Sequence, residues 1–137
     1  MRITTLRTLI LPLLLAAFAS TVCAEAAVTS NSIPQGDSAR GQRLFGQCRT
    51  CHYPEKGFGH HNGPSLWSVF GREAGSAEGY EHYSDEMKHA GFVWTPELLD
   101  FWLGHMDTFL PDSTMIVFPL DAQQRADIIA YLQQFHD

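Results

Sequence analysis

The stretch Cys48-Arg49-Thr50-Cys51-His52 decides how this chain is read. Two cysteines separated by two residues, with a histidine directly after the second, form the attachment sequence for a c-type haem. Each position has a physical job. The two thiols add across the two vinyl groups of the porphyrin as thioethers, and the two-residue spacer lets both sulfurs reach one edge. His52 then lies beneath the ring, where an imidazole nitrogen binds iron. Its other ring nitrogen needs an acceptor to fix its orientation and raise its basicity. Two other chemistries use paired cysteines. A thioredoxin-like redox pair requires βαβ surroundings that are missing here. A zinc site would draw on His60 and His61, but a second metal-binding pair is absent.

Toward the N-terminus, Arg2 and Arg7 precede an apolar run that includes Leu11, Leu13, Leu14 and Leu15, followed by the small residues Ala24, Ala26 and Ala27. This pattern predicts a secretory signal peptide over residues 1–24, cleaved after Ala24 or Ala26. The apolar run is short for a membrane span, so no stable insertion is expected. An uncleaved segment would act as an N-terminal membrane anchor. Lipidation of Cys23 would want a small residue before it, and Val22 stands there. Residues 25–37 are small and polar and predict a flexible leader ahead of a domain at 38–137. Export implies a periplasmic location.

Within that domain the helix signals are spaced by loops. Asp37 or Ser38 can cap a helix beginning near Ala39, with Leu44 and Phe45 turned inward. Residues 54–63 hold Pro54, Asn62 and three glycines and read as loop. Residues 66–70 are a candidate helical turn, and 84–89 one or two more. Thr95-Pro96-Glu97 is a strong helix start, with Leu98, Leu99, Trp102 and Leu103 facing inward and Pro111 ending the unit. Asp121 caps a last helix whose buried stripe is Ile128, Ile129, Leu132 and Phe135. Nothing alternates over a strand length. The expected fold is therefore all-α, with short helices and long loops wrapped around one covalent haem. Loops this long need a large internal ligand to pack on.

Charge narrows the partners. The net charge is −6, and loss of Arg2 and Arg7 takes the mature chain to about −8. Lys56 and Lys88 are the only lysines. Without clustered cations the chain is not a nucleic-acid binder. A redox partner would present a basic or apolar surface.

The motif has company in a fixed order. Gly41-Gln42-Arg43-Leu44-Phe45 precedes it; Glu55-Lys56-Gly57, His60 and Gly63-Pro64-Ser65-Leu66 follow. Then come Phe70-Gly71-Arg72, Gly79-Tyr80, Tyr83-Ser84-Asp85, Trp94-Thr95, Leu110-Pro111 and Met115-Ile116. The run from Arg125 to Leu132 closes the set. Over residues 41–135 the chain resembles the class I (mitochondrial-type) monohaem cytochromes c.

The resemblance implies His52 as proximal iron ligand and a methionine sulfur opposite it. Met115 matches that position; Met87 and Met106 are the alternatives. It also implies that the Pro64 carbonyl accepts a hydrogen bond from His52, and that Arg72, Tyr83 and Trp94 meet the haem propionates. Ser113 matches a hydroxyl position before the ligand. Trp102 stands where many members have a tyrosine near the methionine sulfur, and an indole donates but cannot accept. Departures are Asp112 and Pro119 in place of usual glycines, and one extra residue in 79–83 that puts His82 near the propionate edge. The lysine ring with which mitochondrial cytochromes dock onto acidic partners is missing. The remaining histidines, His60 included, read as surface or loop residues.

The function expected is a single-electron carrier, monomeric or part of a complex, in a respiratory or periplasmic dehydrogenase chain. A dedicated cytochrome subunit of a periplasmic oxidoreductase is the nearest alternative. A haem enzyme or gas-binding protein with an open sixth site is a further one, against which the Met115 pattern argues.

Overall fold

The order of elements follows from caps and breakers. Asp37 accepts a hydrogen bond from the Arg40 backbone N–H, which starts α1 (Ser38–Leu44). A 3₁₀ helix, Phe45–Thr50, continues it directly into the cysteine motif. Ser84 caps the short α2 (Asp85–Lys88) through the Met87 N–H. Thr95 caps α3 (Pro96–Gly104), with proline at the first turn as the sequence predicts. After α4 (Met106–Phe109), Asp121 and Gln124 form a capping box for α5 (Ala122–Leu132). The computed structural model describes residues 32–137. The signal peptide, its cleavage sites, Cys23 and the first part of the leader lie outside them. Among the described residues there is no strand, only an isolated bridge between Glu73 and Val93, so the fold is all-α.

α1 crosses α5, and α3 lies against α5 as well. The crossing is close because Gly41 has no side chain: a Cβ there would overlap the Asp127 carbonyl and the Tyr131 Cβ. Phe45 packs its ring 5.3 Å from that of Tyr131. Leu99, Trp102 and Leu103 from α3 join Ile128, Ile129 and Leu132 from α5 in one core.

Two local expectations differ from what forms. Residues 66–70 make turns rather than helix, because Ser68 adopts a left-handed φ of 48° and its N–H bonds the Phe135 carbonyl. The unit from Thr95 to Pro111 is two helices, not one. Gly104 ends α3, the His105 ring N–H donates to the Phe101 carbonyl, and the His105 carbonyl starts α4. Met106 thus opens the second of these helices.

The last residues before α1 are held, not loose. Ile33 packs on the core, Gln123 donates to the Gln35 carbonyl, and a Cβ on Gly36 would overlap α5 at Ala126. At the centre sits Asp127, only 2% exposed. Its carboxylate accepts from Arg40 Nε at 2.7 Å, from Arg40 Nη2 at 2.8 Å, from the Asp37 N–H and from Gln123. Nothing in the helix periodicity distinguishes this residue in advance. The Arg40 guanidinium, with the Asp37 N–H and Gln123, holds the carboxyl well below the usual carboxylate range. A carboxyl with a depressed pKa stabilises the fold above the unfolded value and loses that contribution as pH falls. Asp127→Asn should therefore melt below wild type at pH 5–7. The gap should begin to narrow below about pH 4, where the unfolded carboxyl takes up its proton, and close only well below that, where the native carboxylate titrates. Thermal melts across pH 2.5–7 check this; a gap constant with pH would mean the charge contributes nothing.

Candidate haem site

The 3₁₀ helix sets the two thiols. Both the Cys51 and the His52 N–H donate to the Cys48 carbonyl, at 3.0 and 2.9 Å, folding the motif into one tight turn. Among the described residues both cysteines are free thiols. Burial pushes the Cys48 thiol up to about 11, so it stays protonated and uncharged near neutrality.

His52 is held from behind. Its Nδ1–H donates to the Pro64 carbonyl at 2.7 Å, which leaves Nε2 with a free lone pair. Gly63 backs the ring so closely that any Cβ would overlap it. Burial lowers the His52 pKa against the opposing pull of the Pro64 hydrogen bond, keeping the imidazole in its ligating, neutral form.

All ten residues singled out from the sequence line one cavity of about 440 Å³: Cys48, Cys51, His52, Pro64, Arg72, Tyr83, Trp94, Trp102, Ser113 and Met115. That size suits a single organic cofactor. Leu66, Leu99, Leu103, Ile128 and Leu132 supply apolar wall. Met87 also lines the cavity, whereas Met106 packs against the core without lining it. The Ser113 hydroxyl accepts from the Met115 N–H at 3.3 Å, shaping the loop before that methionine.

Three polar features test the fit to haem. Arg72 is half-buried and has no acidic partner among the described residues; its guanidinium donates to the Trp67 and Ser65 carbonyls. Burial lowers its pKa, so the cavity favours an incoming carboxylate. Tyr83 beside it accepts from the Ala77 N–H, and burial raises its pKa. The Trp102 indole N–H is buried with no partner. An orphaned donor of this kind costs about 1–3 kcal/mol unless a ligand atom accepts from it. Paired thiols, an imidazole with a free nitrogen, an uncompensated cation and an orphaned donor fit a haem with two propionates.

Some positioning residues were hidden in sequence. His60 is more than a surface histidine: its Nδ1 accepts from the Ser65 N–H at 3.0 Å, and its Nε2–H donates to the Glu78 carbonyl at 2.7 Å. It thereby ties the loop after the motif to the loop at 76–83. Tyr80 packs against His60, His82 and Tyr83 and donates to the Asn62 carbonyl, reinforcing the same seam. Gly75, at a φ of 69°, lets the chain pass against the Met87 carbonyl of α2, where a side chain would not fit. The signal for His60 was its place among the ordered pieces, not its spacing.

The Cytochrome c family model matches residues 38–136. Cytochrome c of Chlamydomonas reinhardtii is 41% identical over 103 residues, which is 74% of this chain and 91% of the relative. That of Ginkgo biloba is 37% identical over 109 residues, covering 77% and 95%. That of Theileria parva is 38% identical over 104 residues, covering 74% and 89%. With the motif, the all-α fold and the fitted cavity, these matches place the chain in the class I cytochrome c family, an electron carrier with one haem c attached through Cys48 and Cys51.

Proposed function

We propose that His52 and Met115 would be the protein's two ligands to the iron of a bound haem, so that the protein carries single electrons and turns over no substrate. The observation that carries this reading is the shared cavity, in which the neutral His52 ring and the Met115 loop both form wall. Bound haem supplies an iron that takes up and releases one electron, and a thioether ligand favours the ferrous state. The chain's own residues do the rest. Pro64 orients His52. Arg72, Tyr83 and Trp94 receive the propionates. The Trp102 N–H finds an acceptor in the cavity, with the Met115 sulfur as a weak one. The apolar walls keep water from the iron.

The signal sequence at 1–24 supports export, and hence work in a periplasmic or respiratory chain beside redox proteins. No helix among the described residues is long and apolar enough to cross a membrane. The reading is tested by visible spectra of the purified holoprotein, oxidised and reduced, with and without carbon monoxide. A sharp low-spin ferrous spectrum, a weak far-red band in the ferric state and no rapid carbon monoxide binding are expected. A high-spin ferrous spectrum that shifts promptly with carbon monoxide would instead support a gas-binding protein or haem enzyme.

A further inference from the structure

The haem cavity is lined by one strong cation and no acid. Among the described residues that form its wall, Arg72 is the only arginine or lysine, and neither aspartate nor glutamate takes part. Two propionates bring two negative charges to such a site. Arg72 answers one of them. Ferric iron in its porphyrin ring answers the other, and that charge disappears when an electron arrives. The reduced site is then short of one positive charge, which a protonatable group on the wall can supply.

His82 is placed to supply it. The residue lines the cavity and is also exposed, so it meets the haem space on one side and water on the other. Its ring stands edge-on to Tyr80, with centroids 5.7 Å apart, and pairs with no carboxylate among the described residues. Imidazole is the side chain whose charge ordinarily changes between pH 5 and 8. The groups around it are committed elsewhere. Tyr80 donates to the Asn62 carbonyl, Tyr83 accepts from the Ala77 N–H, and burial favours the protonated form of both phenols. Behind Tyr80, His60 already uses both ring nitrogens, on the Ser65 N–H and the Glu78 carbonyl. His52, the other imidazole on the wall, is held by Pro64. On α2, Asp85 pairs with Lys88 at 3.5 Å and Glu86 accepts from the Asp112 N–H at 2.9 Å. Glu78 and Glu81 are exposed acids on the same loop, and their charge favours a cationic ring. Arg72 opposes it, and a propionate matches that charge.

We infer that His82 is a second counter-charge for the propionates, one filled by protonation, so that electron uptake draws a proton onto the cavity rim. This role rests on the reading that Arg72, Tyr83 and Trp94 receive the propionates, and adds a proton-linked residue to it. A redox partner supplies the electron, solvent supplies the proton, and an N–H bond forms at the imidazole. Oxidation reverses both. Loss of one positive charge at the iron should tighten proton binding about threefold, the effect of a unit charge felt through partly screened solvent. By linkage, the proton favours the electron by the same factor.

The test is a redox titration of the holoprotein, followed by visible absorbance at pH values from 5 to 8, with His82→Gln and His82→Lys beside wild type. The wild-type potential should fall as pH rises, because the ferrous state holds the proton more tightly. His82→Gln should be flat at the wild-type high-pH value, and His82→Lys flat at or above the low-pH value. Proton NMR should show the His82 ring titrating at higher pH in the ferrous than in the ferric protein, a readout separate from electron transfer. A wild-type slope retained in His82→Gln overturns the role, and so does a His82 resonance whose titration ignores the state of the iron. Arg72→Gln should lower the potential at every pH; an unchanged potential there would remove the propionate reading on which the role rests. Spectra of the same samples read the axial ligands separately, since the slope depends on the propionates and not on the sixth ligand.

Discussion

Met115→Ala holoprotein is expected to lose the far-red ferric band, become high-spin when reduced, and bind carbon monoxide within the mixing time. Its reduction potential should fall, because the soft sulfur that favours ferrous iron is gone. Truncation leaves a gap beside Ile116 and Val117 that water or a small ligand can enter. The controls are the two other methionines near the site. Met106 packs outside the cavity, so Met106→Leu should keep the wild-type spectrum at a cost below about 1.5 kcal/mol. Met87 lines the cavity from α2, where its backbone is fixed by the Ser84 cap and by the close passage of Gly75. Met87→Leu should leave the low-spin spectrum unchanged. If instead Met87→Leu removes the far-red band and Met115→Ala does not, the sulfur on the iron belongs to α2. Reduced-minus-oxidised spectra with a carbon monoxide titration decide it.

Gly41→Ala is expected to have the largest effect on stability of any single methyl added to the chain. The new Cβ meets the Asp127 carbonyl carbon and oxygen and the Tyr131 Cβ, all part of α5 itself or fixed closely to it. A flexible side chain could swing away; a helix backbone must move as a body. Overpacking in cores costs typically 1–3 kcal/mol, and a clash with backbone belongs at the upper end, about 3 kcal/mol. For a domain of this size that lowers Tm by roughly 10–20 °C. Displacing α1 from α5 would also loosen the Arg40–Asp127 pair and the start of the 3₁₀ helix that bears Cys48. Gly46→Ala is the matched control, since its Cβ meets nothing within 4 Å. It should melt close to wild type. Thermal melts of the ferric holoproteins check both, and a Gly41→Ala melt within a few degrees of wild type would mean the crossing is not tight.

The site was more legible than the fold around it, for a chemical reason. Haem attachment demands covalent groups at fixed separation, so Cys48, Cys51 and His52 stand together in sequence. Caps are similarly local: Asp37, Ser84, Thr95 and Asp121 each act on an N–H within three residues; those expected at Thr95 and Asp121 form, and of the two candidates for α1 it is Asp37 that caps. Breaks in helices were less legible. Ser68 takes a left-handed φ where its N–H meets the distant Phe135 carbonyl, and α3 stops at Gly104, where the His105 ring and N–H bond the Phe101 and Trp102 carbonyls.

The sequence by itself determined the haem attachment, the all-α class and the starts of α1, α3 and α5, because each depends on residues a few positions apart. Tertiary structure decided what depends on distant partners. It brought Arg72, Tyr83, Trp94, Trp102 and Met115 to the cavity of His52, across separations no periodicity encodes. It made Asp127 the buried anchor of α1 and His60 the tie between two loops. It also left Ile116 and Phe118 facing water on a loop that walls the haem cavity. Burial, hydrogen-bond partnership and exposure are properties of the folded surface, and they arise only once the helices have crossed.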